Sequence, residues 1–288
     1  MVDWCMTTLR FVTTKRLPLS RLRSLCRSYP VVNMAQKSSN EPGGNTENYS
    51  SFNRPTQITT HHQYYSSGLA EKELLDDPIS LFKKWFDAAC QSSLVSEPEA
   101  MCFATATNSG EVSSRFVLLK SFDSRGFVFF TNYHSRKARE LDSNPNASMA
   151  FYWGPLHQQI RICGRTEKTS AEETAQYFKT RPVGSQIGAW ASPQSNEIPN
   201  REHLTKLVSD QEVAFGVEPG SVDRKSPLPS DLQAQIAVPS HWGGIRLIPH
   251  EIEFWVGLPN RLHDRFVYRR KPSSRLSPSS WTRQRLAP

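Results

Sequence analysis

From Met101 onward the chain is written as short apolar runs cut by tight turns, and that rhythm confines it to a mainly β fold. Met101–Thr107, Val112–Lys120 and Phe127–Thr131 are five to nine residues long, the length of strands rather than helices. Asn108-Ser-Gly110 and Asp123-Ser-Arg-Gly126 separate them, with the glycine that tight hairpin turns favour. The three runs therefore predict an antiparallel meander. Ala147–Trp153, Gln158–Arg165, Trp242–Ile248, Glu251–Trp255 and Arg265–Arg270 have the same character. Six to eight strands with few, peripheral helices predict a closed or split β-barrel.

The helical signals are sparse. Asp77-Pro78 opens a helix, with Asp as N-cap and Pro in the first helical position, and Phe82, Trp85, Phe86 and Ala89 give it one apolar face. A short helix is expected over Arg136–Leu141, stopping before Asn144-Pro145. Ser170-Ala-Glu-Glu173 is a capping box whose helix runs through Thr180 and is closed by Arg181-Pro182. Another helix is expected near Arg201, and the Pro-, Ser- and Gly-rich residues 214–240 read as a long loop.

Charge location narrows the function. The chain carries a net +8, but residues 1–33 hold +5 and residues 261–288 hold +7, so the middle is −4. A nucleic-acid module places its basic stripe on the folded core, so general nucleic-acid binding is excluded. Residues 1–33 are rich in Arg, Ser, Thr and Leu and nearly lack acid, which fits a mitochondrial transit peptide and an untargeted tail equally well. Cytoplasm and mitochondrion both stay open, and Met34 offers an internal start. Residues 35–60 are polar and predict disorder. No apolar run approaches membrane-spanning length. Five cysteines, widely spaced and without a CxxC pair, predict a reduced chain with no structural metal, and Cys102 and Cys163 read as small core residues.

Four runs carry chemistry. In Ser114-Arg115-Phe-Val-Leu-Leu-Lys120 two cations five apart fall on opposite faces of a regular strand, where they are either anion contacts or strand-end charges reaching water. In Phe130-Thr131-Asn132-Tyr-His-Ser135-Arg136-Lys137 a strand end and a helix start bring hydroxyls, cations and helix N–H groups together, the components of a phosphate site. Tyr177 and Arg181, four apart on a helix, share a face, and Ser185 follows beyond Pro182. Near the C-terminus, Trp255-Val-Gly257-Leu-Pro-Asn-Arg261-Leu-His263-Asp264-Arg265 sets an indole beside three donors. On an extended strand Arg261, His263 and Arg265 would share one face, with Asp264 opposite.

Taken in order, these runs and the closing Trp281-Thr-Arg-Gln-Arg285-Leu-Ala-Pro288 resemble the pyridoxine (pyridoxamine) 5'-phosphate oxidases, over roughly residues 69–210 and 241–288. The resemblance implies an FMN-binding split β-barrel and a homodimer with the flavin between subunits. Its implied layout is an N-terminal extension to residue 60, a core over 61–210, a variable loop over 211–240 and C-terminal barrel strands with a dimerisation segment over 241–288. It implies FMN contacts at Arg115, Phe116, Val117, Leu118, Phe130, Thr131, Arg136, Lys137, Gln159, Gln194, Trp255 and Arg265. Lys120, Tyr177, Arg181 and Ser185 are implied to hold the substrate phosphate, Arg261 and His263 to hold the ring and assist its proton, and Tyr64 to close over it. The implied reaction takes pyridoxine or pyridoxamine 5'-phosphate to pyridoxal 5'-phosphate with O2, releasing hydrogen peroxide. Another flavin split-barrel oxidoreductase and a non-enzymatic flavin-binding module are the alternatives. One departure stands out: His61-His62-Gln63-Tyr64 lacks the Arg that the family has close before its Tyr, so His61 or His62 is the candidate to replace it.

Overall fold

The structure is a computed structural model that describes residues 63–221, 236–271 and 281–288. The readings made of residues 1–62, of most of the 214–240 loop and of His61 and His62 lie outside those residues.

The first helix forms where its start signal predicts. Asp77 accepts hydrogen bonds from the backbone N–H groups of Ile79 and Ser80, and Pro78 begins α1 (Pro78–Gln91). Its apolar stripe turns Leu81, Phe82 and Trp85 inward. Strands β1 (Ala100–Ala106) and β2 (Val112–Leu118) then make a hairpin, and β3 (Ser121–Asp123) and β4 (Gly126–Asn132) a second. Gly126 is obligatory there: its φ is 150°, and a Cβ would collide with the Leu247 carbonyl across the sheet. Helix α2 (Arg136–Ser143) leads to β5 (Asn146–Trp153) and β6 (Gln158–Lys168).

Two further helices, α3 (Ala171–Thr180) and α4 (Val183–Ala191), are separated only by Arg181-Pro182. The capping box is made, with Ser170 Oγ accepting from the Glu173 N–H at 3.1 Å. Helix α4 is not evident in the sequence, because the proline that closes α3 also stands as the N-cap of a new helix at a turned angle. Helix α5 (Arg201–Ala214) follows, capped by Asn200. The chain closes with β7 (Trp242–Val256), β8 (Asp264–Arg270) and β9 (Trp281–Leu286).

The nine strands among the described residues form one antiparallel sheet in the order β2-β1-β5-β6-β7-β4-β3, with β8 paired to the second half of β7 and β9 to β8. It curls into a half-barrel, mainly β with five α-helices among the described residues. The sequence divides β7 in two, at Ile248 and Glu251, because Pro249 cannot donate to a ladder. The structure keeps one fifteen-residue strand by placing a bulge there: Cys163 pairs with Glu251 and Gly164 with Pro249, leaving His250 extra. Strand β9 carries no apolar alternation, so pairing with β8 rather than burial makes it a strand.

Phe82, Phe103, Phe127, Phe129, Phe151, Trp153 and Phe254 fill the barrel with no more than 2% exposure each. Phe178, Val183, Ile187 and Trp242 make a second, smaller cluster that seats α3 and α4 against the start of β7. Cys102 and Cys163 are half-buried rather than core residues, since they fall on the alternate positions of β1 and β6 that face away from the barrel interior. Among the described residues no helix is long and apolar enough to cross a membrane.

Candidate active site

A cleft of about 330 Å³ opens where β2, β4, α3 and the start of β7 meet. Among the described residues four cations line it (Arg115, Lys120, Lys137 and Arg181), together with Phe130, Tyr177 and Trp242, and none of the lining is a carboxylate. Arg115 and Lys120 share this cleft although a regular strand would part them. Strand β2 ends at Leu118; Leu119 then buries itself and donates to Glu99 O, while the Lys120 N–H bonds Val128 O on β4. The chain thus turns between the two cations.

Lys137 is the informative one. It is only 9% exposed, and its ammonium meets three neutral oxygens: Gln194 Oε1 at 2.8 Å, Thr131 Oγ1 at 3.1 Å and Ser135 Oγ at 3.2 Å. Burial, and then the charge of Arg115, bring its pKa down to about 8. The charge of Glu140 reaches it without a hydrogen bond, and a buried cation whose hydrogen-bond acceptors among the described residues are all neutral is the half of an ion pair that a bound anion completes. Arg115 is held differently, with Nη1 donating to Thr105 Oγ1 at 2.6 Å and Nη2 lying 3.5 Å from Glu140. Arg136 is largely exposed and pairs with Glu140 instead of entering the cleft.

On the opposite wall the Tyr177 ring stacks on Phe130 at 3.9 Å, and the Arg181 guanidinium lies 4.6 Å over the Trp242 ring. Arg181 is the C-cap of α3, so it shares the helix face with Tyr177 only just. Among the described residues its buried Nη1 has no hydrogen-bond partner, and burial lowers its pKa. Phe116, Val117, Leu118, Thr131 and Gln194 complete the lining. Ser185 lies nearby on the first turn of α4 but is exposed and outside the cleft wall.

The C-terminal candidates gather elsewhere. Trp255 pairs with Gln159 on β6 and with Arg265 on β8. The Tyr64 ring meets Trp255 at 5.4 Å, His263 at 5.5 Å and His157 at 5.3 Å. Gly257 makes room for it, since a Cβ there would stand 2.6 Å from Tyr64 Cγ. Arg261 and His263 do not share a strand face with Arg265: Pro259–Arg261 is a 3-10 turn with φ of 57° at Asn260 and 62° at Arg261. Arg261 is exposed, and Arg265 is held by Glu253 at 2.7 Å. His263 Nδ1 accepts from the Leu258 N–H at 3.0 Å, which puts the proton of the neutral ring on Nε2. Burial and the Arg261 charge both lower its pKa.

This second group sits thirteen residues along β7 from Trp242, about 40 Å of extended strand. Within one chain the structure therefore brings Arg115, Lys120, Lys137, Tyr177, Arg181 and Gln194 together, and keeps Tyr64, Gln159, Trp255, Arg261, His263 and Arg265 apart from them. Two contributors escape the sequence reading, Trp242 and Glu140. Trp242 looks like an ordinary strand start, whereas Glu140, four residues after Arg136, carries the spacing of a helical ion pair.

An open antiparallel barrel with an aromatic, four-cation cleft at its edge defines a split-barrel protein whose cleft has the chemistry to receive an anion. The pyridoxamine 5'-phosphate oxidase family model matches residues 87–209, and the pyridoxine 5'-phosphate oxidase C-terminal dimerisation region matches residues 242–288. A pyridoxamine 5'-phosphate oxidase of Saccharomyces cerevisiae is 46% identical over 79% of this chain and 92% of its own. A pyridoxine/pyridoxamine 5'-phosphate oxidase of Nostoc punctiforme is 47% identical over 78% and 95%. Among solved structures, PhzG of Burkholderia lata with tetrahydrophenazine-1-carboxylic acid superposes with a TM-score of 0.64 at 32% identity, covering 77% of this chain and 98% of that one. A pyridoxamine 5'-phosphate oxidase-related, FMN-binding protein of Nostoc punctiforme shares the fold at a TM-score of 0.53 and 16% identity, over 73% and 98%. The chain belongs to the pyridoxine/pyridoxamine 5'-phosphate oxidase family. Its role is accordingly that of an oxidase in vitamin B6 salvage, forming pyridoxal 5'-phosphate.

Proposed function

We propose that the cleft holds FMN by its phosphate at Lys137 and that a second subunit's Trp255–Arg265 region completes each site. The buried Lys137 with no carboxylate partner among the described residues is the observation that carries the first half. Thr131, Gln194 and Arg115 are the other donors or anchors at that end, with Phe116, Val117, Leu118 and Phe130 along the cofactor and Arg136 at its rim. Arg181 Nη1, without a hydrogen-bond partner among the described residues, supports with Lys120 and Tyr177 a second anion at the other end, the substrate's phosphate, and the family resemblance assigns Ser185, on the first turn of α4, to the same phosphate. When bound, FMN would supply the two-electron oxidation, and O2 would restore it with release of hydrogen peroxide.

The second half rests on separation. Arg261, His263, Trp255, Arg265 and Gln159 lie too far along β7 to reach a ligand in their own chain's cleft. Phe116 is 77% exposed, and Val112 and Tyr152 are also bare, which suits a face covered by a second copy. The matched dimerisation region supports the same homodimer. In that assembly Arg261 and the Nε2–H of His263 would donate to the substrate ring and its reacting substituent, with Tyr64 over them. With Nδ1 already accepting from Leu258, His263 acts as an orienting donor rather than a base.

Purified protein is expected to show flavin absorbance bands and to release peroxide on addition of pyridoxine 5'-phosphate. Bands without peroxide would turn the reading towards a flavin-binding module, and protein that neither carries nor takes up flavin would reject it. Arg181→Ala should mainly raise KM, by about ten- to a hundredfold, because the phosphate it contacts is unchanged in the reaction. Arg261→Ala should lower kcat together with kcat/KM, since it contacts the reacting ring. An Arg181→Ala enzyme with normal KM and a reduced kcat would reverse these assignments.

A further inference from the structure

Glu140 lines no part of the cleft, yet it ties two of its walls together. Its side chain is 5% exposed and is reached from three elements. Ser113 Oγ on β2 lies 2.7 Å from Oε2, Arg136 Nε on α2 lies 2.8 Å from Oε1, and Arg115 Nη2 on β2 lies 3.5 Å from Oε2. From β1 the Thr105 hydroxyl donates to Oε2 and accepts from Arg115 Nη1. A carboxylate can only accept, so it fixes the direction of this chain: Thr105 must give its proton to Glu140 and turn its lone pairs to the guanidinium. Arg115 is thereby aimed, and the β1–β2 hairpin is pinned to the helix that begins with Arg136 and Lys137.

We propose that Glu140 is a positioning residue for the phosphate end of the cleft, fixing Arg115 and Lys137 relative to each other and leaving their surroundings matched to a dianion. The inference rests on the flavin-phosphate reading above. Arg115 and Arg136 pair with Glu140, and Lys137 feels its charge without touching it, so three cations share one carboxylate, a net of two positive charges. A phosphate monoester carries about −1.5 to −2 at neutral pH, so the occupied end is close to neutral. Burial alone would raise the Glu140 pKa, but hydrogen bonds from Thr105, Ser113 and Arg136 and the charge of Arg115 bring it to about 2, so the countercharge is present at any working pH. The groups facing Lys137 are Arg115 from β2, Glu140 from α2, and the neutral Thr131, Ser135 and Gln194; Arg115 opposes its proton and Glu140 supports it.

The test titrates flavin-free protein with FMN, read by quenching of flavin fluorescence, at neutral to alkaline pH, beside a thermal melt of each variant. Glu140→Gln keeps the volume and an acceptor oxygen but removes the charge. It is expected to weaken FMN binding about tenfold and to move the alkaline loss of affinity to lower pH, since Lys137 loses its supporting charge. Thr105→Val cuts the link to Arg115 from the other side, and should weaken FMN binding with the pH midpoint unmoved. Wild-type affinity and midpoint in Glu140→Gln, with only the melting temperature lowered, would reduce Glu140 to a structural residue and overturn the assignment. Should Glu140→Gln not fold, normal FMN affinity in Thr105→Val overturns it alone. Wild-type protein that takes up no FMN at any pH overturns the flavin reading and this one together, whereas normal wild-type binding with unaffected variants overturns only this one.

Discussion

Lys137→Met is expected to yield a folded protein that has lost most of its FMN affinity. The side chain is a buried ammonium whose hydrogen-bond partners among the described residues are all neutral, so most of its electrostatic benefit arises only when an anion arrives. Removing one side of a desolvated charged contact costs roughly 2–5 kcal/mol, or about thirty- to several-thousand-fold in Kd. Methionine fills nearly the same volume without a charge to desolvate, so the flavin-free variant should melt no lower than wild type. The two measurements therefore move apart, and a common fall in both would point to misfolding. Acidity adds a further signature. Burial holds the Lys137 pKa down at about 8, and a bound dianion favours its protonated form. Wild-type affinity should therefore be highest below that pH and fall as pH rises through it, because binding must then recruit a proton. The methionine variant should show no such step.

Phe82→Ala should cost about 3–5 kcal/mol of folding stability. The ring has no exposure and touches four others, with centroids 4.8 Å from Phe127, 5.0 Å from Phe122, 5.3 Å from Phe151 and 5.7 Å from Phe86. It joins α1 to three different strands, and the sheet cannot collapse into the space left behind. Since whole domains are stable by only about 5–15 kcal/mol, the loss would be plain in urea or thermal unfolding. A change below about 1 kcal/mol would show that α1 is not part of the barrel's core.

Most of the barrel was legible because its signals are local. The Asp77-Pro78 start, the Ser170–Glu173 capping box and the hairpin turns at Gly110 and Gly126 each act within a few residues, and each formed as read. The failures are non-local. Pro249 looks like a strand break until β6 supplies a bulge opposite it, and Trp281–Leu286 becomes a strand only because β8 lies beside it. Helix α4 was hidden by a proline that ends one helix and begins the next. At the site, Lys120 joins Arg115 because the strand stops two residues before it, which periodicity assumes it does not. Arg261 left the expected strand face because the Pro-Asn pair bends the backbone into positive φ. Trp242 was passed over because it reads as a plain strand start, and Glu140 because its spacing from Arg136 reads as an ordinary surface ion pair until Thr105 and Ser113 are brought to it from β1 and β2.

The length of β7 has a consequence for genetics. One strand carries the cleft's Trp242 at its head and Trp255 near its tail, so in the shared-site homodimer proposed above two defects far apart in a single chain would strike one reaction. Alleles broken at opposite ends should then rescue each other. Lys137→Met spoils a cleft but leaves its own Arg261 sound, and Arg261→Ala does the converse. When the two are dissociated, mixed in equal amounts and re-paired at random, about one site in four receives two sound halves. Activity at about a quarter of wild type, from two proteins that are each nearly inert, would mark the site as shared. Two defects within one cleft, Lys137→Met and Arg181→Ala, should give no such recovery.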